Sequence, residues 1–205
     1  SHYQHQFLTM GVHIVGLQET RRQQGVHSSK SFYAYSSGTD DRGSGAVELR
    51  LCKDLPYGKR DNEDLHFRDS HLRVLHQDHR RLLVKLTAPG LCCSILVAHA
   101  LDHSYPEPLR REWWTATEAL LDRWRPQLVL MDANARVGDI DSDQIGTLGY
   151  AQTQDSNGDF LHLMATHFEL TAVNTICHDD TGWTWRHNRS GKTSRIDYIP
   201  CCKEW

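Results

Sequence analysis

The chain has 205 residues, of which 39% are hydrophobic and 24% are charged, and its formal net charge is -3 at pH 7. This composition is typical of a globular protein with a sizeable core and argues against a disordered chain. The small negative charge excludes a global field that attracts nucleic acid, so binding of a polyanion would require a local basic patch or bound cations.

The first half of the chain is predicted to consist mainly of strands. Short apolar or alternating runs predict strands at 12–17, 45–51, 82–86 and 94–98. The stretch 57–69 is polar and gapped, and we predict a surface loop there. No repeat or low-complexity segment interrupts the chain, so we expect a single domain over residues 1–205.

The second half alternates helices with strands. In Glu107–Trp124 apolar residues recur every three or four positions, which predicts an amphipathic helix that Pro126 ends. Asn157 and Gly158 signal the start of a second helix at 160–170. Further strands are predicted at 128–131, 171–176, 183–187 and 194–199. This mixture favours an α/β (α+β) domain in which two mixed β-sheets pack face to face with helices outside.

The six cysteines, Cys177 among them, lack the CxxC spacing of zinc and redox sites. We therefore expect reduced thiols in an intracellular protein, nuclear or cytoplasmic. No apolar run approaches the length of a membrane span and the N-terminus shows no signal-peptide pattern, so no membrane partner is expected. The first residue is serine rather than methionine, which suggests a fragment or a processed chain.

Polar side chains with metal-binding or proton-handling chemistry stand at or near the ends of predicted strands. Parallel strands that end at one sheet edge place such groups around a single crevice, so we expect one shared site. Glu19 follows the run 12–17, where one carboxylate can bind Mg²⁺, although a lone glutamate at a strand end is more often solvated. His99 ends the run 94–98 and can stabilise a phosphate, although a structural histidine is the more common case.

Two aspartates and an asparagine add to this expectation. Asp132 and Asn134 follow the strand at 128–131, and in an extended segment both side chains point to the same side, where they can hold a water or a phosphoryl oxygen. An Asx-rich turn is the alternative. Asp197 lies in a β-prone run, where a buried carboxylate requires an arginine, a histidine or a metal as its partner, and a surface-facing side chain is the alternative.

The last two predicted strands are joined by a turn at 188–192 and form a basic hairpin. Its cationic and polar residues are Arg186, His187, Asn188, Arg189, Lys192 and Arg195. Such a cluster can form an edge that binds phosphates, and a solvated turn is the alternative.

These segments, in this order, resemble motifs of the endonuclease/exonuclease/phosphatase superfamily, which includes the DNase I-like nucleases. The matching segments are Gln18-Glu19-Thr20, Ala98-His99-Ala100, Met131-Asp132-Ala133-Asn134, Asn157-Gly158, Trp183-Thr184-Trp185 and Ser194-Arg195-Ile196-Asp197-Tyr198-Ile199. The resemblance is greatest to the endonuclease domains of non-LTR (LINE-type) retrotransposons. It implies a DNase I-like four-layer sandwich.

The resemblance also implies a role for each matching residue. Glu19 and Asp132 would bind Mg²⁺, or Mn²⁺ in its place. Asp132 and Asn134 would activate the attacking water and hold the scissile phosphate, His99 would stabilise that phosphate, and Asp197 would orient a catalytic histidine. Substrate phosphates would contact residues of the helix start and the hairpin, namely Asn157, Thr184, Arg189, Lys192 and Ser194.

The activity that the resemblance implies is metal-dependent nicking of DNA by a monomer, with a reverse transcriptase domain downstream in the intact polypeptide. A phosphatase or phosphodiesterase of small or lipid phosphates on the same scaffold is one alternative, and an inactive retroelement remnant is another. Family members carry an earlier strand with a metal-binding asparagine and a later SDH element, and neither occurs in this sequence. We therefore expect a chain truncated at both ends and itself nearly inactive.

Overall fold

The structure is a computed structural model that describes residues 2–140, 142–148, 151–176 and 182–203. It divides into two compact units, one through Val97 and the other from Ala98. Cys177 lies outside the described residues. Within the described ranges, no helix has the length and the apolar composition that a membrane span requires.

The first unit begins with a short helix and is otherwise built from strands. Its elements are α1 (His2–Thr9), β1 (Ile14–Leu17), β2 (Gly25–Ser28), β3 (Phe32–Ser36), β4 (Glu48–Cys52), β5 (Gly58–Arg60), β6 (Glu63–Leu65), β7 (Leu72–Asp78), β8 (Arg81–Ala88) and β9 (Leu91–His99), whose last two residues belong to the second unit. Strands therefore form at all four predicted positions. The helix α1 and the strands β2, β3 and β7 were not predicted.

Four strands of this unit form a sheet in the order β1-β4-β3-β2. Every neighbouring pair in it is antiparallel, in contrast to the mixed sheets predicted from the sequence. For β2 and β3 the physical reason is connectivity, because only residues 29–31 join them and a parallel neighbour requires a long crossover. Phe32, Leu49 and Leu51 are fully buried and form part of the core of this unit.

The loop predicted at 57–69 is wrong in part, because the segment contains the antiparallel hairpin β5–β6. Its turn residues Asp61 and Asn62 have φ values of 51° and 67°. Two consecutive positive φ angles are the mark of the tight hairpin turn that matches strand twist, and Asp and Asn tolerate this conformation well. The strands are too short and too exposed to leave an alternating pattern.

The second unit contains both longer helices. Its elements are α2 (Glu107–Trp124), β10 (Leu128–Asp132), α3 (Ser156–His167), β11 (Leu170–Ala172), β12 (Trp185–Arg186), β13 (Thr193–Ser194), β14 (Asp197–Tyr198) and β15 (Pro200–Cys202). The helix α2 has the predicted bounds and ends in the left-handed Arg125 just before Pro126. The helix α3 begins earlier than predicted, because the Asp155 carboxylate caps it by accepting a hydrogen bond from the Gly158 N–H.

The strands of this unit position the candidate site. β11, β15 and β10 are neighbours in one sheet, and β14 pairs with β10 in an antiparallel register. The strand predicted at 171–176 is only β11, because residues Val173–Thr175 turn into a 3-10 helix. The predicted basic hairpin is confirmed as the antiparallel pair β12–β13.

Candidate functional site

Two carboxylates lie directly opposite each other where β10 ends. The register of β10 and β14 pairs Asp132 with Asp197, and Met131 with the buried Tyr198. Side chains of directly paired residues project on the same face of a sheet, so the two carboxylates face the same region. The backbone beyond Asp132 stays attached to this segment, since the Ala133 N–H donates to the Ile196 carbonyl at 2.9 Å.

His99 completes a cluster with Asp132. Its Nε2 atom lies 3.9 Å from Oδ2 of Asp132, and the imidazole is buried, with 5% of the residue exposed. The other carboxylate oxygen of Asp132 accepts a hydrogen bond from the Asn134 N–H at 3.0 Å. The Ala100 N–H donates to the Asp132 carbonyl at 2.8 Å, which fixes the end of β9 beside the end of β10.

Asn134 does not have the extended backbone that the sequence predicted, because its φ is 45°. The predicted alternation of side chains therefore fails after Asp132, and an Asx turn closed by the Asp132 carboxylate replaces it. The side-chain Nδ2 of Asn134 donates to the Ala100 carbonyl at 3.0 Å. One amide proton and the amide oxygen remain for a substrate, and Asn134 lines a cleft described below.

Asn157 is fully buried and does not contact the surface. Its Nδ2 donates to the carbonyls of Leu101 at 2.9 Å and Asn134 at 3.0 Å, and its Oδ1 accepts from Nη1 of Arg110 at 2.9 Å. The predicted phosphate contact is therefore wrong for this residue. Asn157 is a positioning residue, because it ties the segment after β9 to the turn at Asn134.

Gly158 explains why glycine follows Asn157. A Cβ atom at this position would lie 2.3 Å from the Arg136 carbonyl oxygen, much closer than atoms can approach. The start of α3 therefore packs directly against the backbone that follows Asn134, and the Asn-Gly pair is structural.

Asp197 is largely buried, and burial raises the pKa of its carboxyl above the ordinary value of 3.8. A hydrogen bond from the Thr184 hydroxyl and the positive charge of the buried Arg195 oppose this rise in pKa. Thr184 Oγ1 also accepts from the Ile196 and Asp197 N–H groups, at 3.0 and 3.1 Å. Thr184 thus hydrogen-bonds both to the Asp197 carboxylate and to the backbone beside it. Of the partners expected for Asp197, an arginine is present as the nearby charge of Arg195, and the hydrogen bond comes from Thr184.

A cleft of about 680 Å³ opens beside these residues. It is lined by Asp102, His103, Ser104, Asn134, Arg136, Trp185, His187 and Ile196. A second cleft of about 610 Å³ shares Arg136, Trp185 and His187, and Lys192 and Ser194 line it too. Arg136 is held in place because its Nε donates to the Ser194 hydroxyl at 3.2 Å. Aromatic and cationic side chains therefore line adjoining surfaces.

Several of these residues were not identified from the sequence. Arg136 could have been noticed as the first basic residue after the Asp132-Asn134 motif. Trp185 belongs to the matching segment Trp183-Thr184-Trp185 but was given no role, and His103 was given none either. Of the predicted hairpin contacts, Lys192 lines a cleft, and Arg189 is exposed outside both.

Glu19 lies in the first unit, two residues after the end of β1. It is exposed and has a positive φ of 54°, and the next residue, Thr20, donates its N–H to the Ala46 carbonyl at 3.1 Å. Among the residues described, no three His, Cys, Asp or Glu side chains are grouped to hold a metal ion. The part-exposed carboxylate of Asp132 nevertheless suits Mg²⁺, which is bound through one or two carboxylates and water, better than zinc, which needs a closed set of ligands.

No family model matches the sequence, and no curated protein matches it. Solved structures do. The endonuclease domain of TRAS1, a telomere-specific non-LTR retrotransposon, is 15% identical with a TM-score of 0.63, covering 98% of this chain and 78% of that one. The 3′ phosphatase NExo from Neisseria, bound to a product DNA hairpin, is 13% identical with a TM-score of 0.65, covering 99% and 81%. D. rerio TDP2 with a single-strand DNA product is 12% identical with a TM-score of 0.54, covering 100% and 77%.

Proposed function

We propose that this protein hydrolyses phosphodiester bonds of DNA and acts as an endonuclease of the retroelement type. It has the DNase I-like fold that the motifs predicted, the fold shared by the similar structures. The observation that carries the proposal is the pairing of Asp132 with Asp197 across β10 and β14, with His99 beside Asp132. The names of the three similar structures refer to an endonuclease, a DNA phosphatase and a protein with a DNA product, which supports a nucleic acid substrate.

The cluster assigns a role to each group. Asp132 orients the attacking water and accepts its proton, while Asn134 holds the phosphate through the amide atoms that remain. His99 stabilises the charge that develops on the phosphoryl oxygens. Asp197 maintains the negative potential at the strand end, where Thr184 hydrogen-bonds to it and the positive charge of Arg195 lies nearby. Mg²⁺, with Asp132 as its proposed ligand, would supply additional stabilisation of negative charge.

The basic hairpin and the adjoining clefts would bind the DNA strand outside the cluster. Lys192 and Arg136 line the clefts, and Trp185 offers an aromatic face against His187, with 5.7 Å between ring centroids. Such a combination of cations and aromatic rings suits a polyanionic strand with bases better than a small phosphate ester.

Plasmid nicking tests the proposal, with Mg²⁺, Mn²⁺ or EDTA, for this chain and for a version extended at both ends. We expect little activity from this chain and metal-dependent conversion of supercoiled to open-circular DNA by the extended version. Asp132→Asn should abolish that activity, and the matched control Asp122→Asn on an exposed face of α2 should leave it unchanged. Hydrolysis of inositol or lipid phosphates without nicking would instead support a phosphatase. Inactivity of both versions on every substrate would indicate an inactive remnant.

A further inference from the structure

His103 and Asp155 form a pair that the proposed reaction does not use. Nε2 of His103 lies 2.9 Å from Oδ2 of Asp155, and the other carboxylate oxygen of Asp155 accepts from the Gly158 N–H at 2.8 Å. The carboxylate is thus anchored at the start of α3, where a helix favours negative charge. The imidazole is held by a fixed anion and lines the same cleft as Asn134 and Arg136.

The pairing determines what the rest of the imidazole can do. With Nε2 donating to Asp155, the neutral ring presents Nδ1 as an acceptor, which would repel a phosphate oxygen. The protonated ring presents Nδ1–H as a charged donor, which suits a phosphate oxygen. The guanidinium of Arg136, fixed by Ser194, adds a permanent positive charge to the cleft.

We infer that His103 and Arg136 form a second phosphate subsite, which binds a phosphodiester next to the one hydrolysed. This inference rests on the proposed function and narrows its substrate class to a strand with at least two phosphates. A single small phosphate ester would leave the subsite empty. Binding is strongest when His103 is protonated. The other ionisable groups at this cleft are Asp102 and His187, and His187 has its Nδ1 engaged by the Ser190 N–H at 3.0 Å.

Fluorescence anisotropy with a duplex oligonucleotide tests the subsite, without metal, at about pH 5.5 and about pH 8, on either side of the ordinary imidazole titration. The variants are His103→Asn and the matched control His167→Asn, an exposed histidine in the last turn of α3. At the lower pH we expect His103→Asn to weaken binding about tenfold, as the loss of a charged hydrogen bond predicts. The slope of log affinity against log salt should become shallower by about 0.9, the value for one phosphate contact.

A strand carrying a single neutral methylphosphonate locates the contact. The group is placed at each position of the strand in turn. At one position it should weaken DNA binding by the unsubstituted protein but leave the affinity of His103→Asn unchanged. Asp155→Asn is a second variant, because asparagine also caps helices and the fold is retained. In this variant the position that His103 contacts should become less sensitive to the methylphosphonate, because the imidazole has lost the carboxylate that holds it.

The outcomes separate the subsite from the proposed function. One outcome is that the unsubstituted protein nicks and binds DNA, and that His103→Asn matches it in affinity, in salt slope and in its response to the methylphosphonate. The subsite is then refuted and the proposed function stands. If the parent does not bind DNA at either pH, both are refuted. Equal loss of affinity in His167→Asn would show a general charge effect and would also overturn the subsite.

Discussion

Replacing Asn157 by alanine tests whether this residue positions the site or contacts substrate. The change removes three hydrogen bonds, two of them donated to the Leu101 and Asn134 carbonyls and one accepted from Arg110. A buried polar group left unsatisfied costs roughly 1–3 kcal/mol. Arg110 keeps part of its bonding, because the same Nη1 also donates to the Ser156 hydroxyl at 2.7 Å. Two carbonyls without a partner and a guanidinium with one hydrogen bond fewer therefore predict that the free energy of unfolding falls by about 3–5 kcal/mol.

Such a loss is a large part of the total stability of a domain, which is about 5–15 kcal/mol. Urea unfolding followed by circular dichroism measures it, and Asn188→Ala in the exposed hairpin turn is the matched control, with an expected change within about 0.5 kcal/mol. The DNA affinity of folded Asn157→Ala should fall only through displacement of Asn134. If the variant is as stable as the parent to within about 1 kcal/mol but no longer binds DNA, Asn157 contacts substrate and the positioning role is refuted.

Three further changes have defined outcomes. Burial raises the pKa of Asp197, so the folded chain binds this proton more tightly than the unfolded chain, and the stability of the fold falls as pH rises above 3.8. Asp197→Asn should therefore raise the unfolding midpoint more at neutral pH than at pH 4, and it should abolish nicking. An unchanged midpoint would contradict this. Gly158→Ala should destabilise the fold by more than about 2 kcal/mol, whereas Gly58→Ala, whose nearest atom would be 3.9 Å away, should not. Arg189→Ala with Lys192→Ala should weaken DNA binding and make the salt slope shallower by up to about 1.8, and an unchanged slope would mean that the hairpin is a solvated turn.

The sequence predicted those elements that produce a clear period in apolar residues. The helix α2 was located to the residue from the spacing of apolar residues such as Leu109, Trp113 and Ala116 and from Pro126, which ends it. The buried face differs from the predicted one, because Trp114 and Leu121 are buried beside Trp113 while Leu109 is exposed. The helix α1 carried no such period. It depends on a contact distant in sequence, since its Phe7 packs edge-on against Phe32 with 6.3 Å between ring centroids.

The same distinction applies to the candidate site. Asp132 and His99 were singled out because they stand at or near strand ends, and Asp197 because it is a carboxylate within a β-prone run. The structure places Asp132 beside the other two, and their roles in catalysis stay predictions. The conformation of Asn134 and the burial of Asn157 were not predictable in this way, because both depend on hydrogen bonds to Ala100 and Leu101, far away in the chain. The role of Glu19 stays a prediction.

The direct pairing of Asp132 with Asp197 constrains how the length of this chain can vary in evolution. Because side chains alternate between the two faces of a strand, a one-residue insertion that shifts β14 against β10 would turn Asp197 to the opposite face. The turn of the β12–β13 hairpin is under no such constraint, since its register is set by its own ladder. We therefore expect insertions and deletions in that turn to leave Asp132 paired with Asp197, whereas an insertion within β14 would break the pairing.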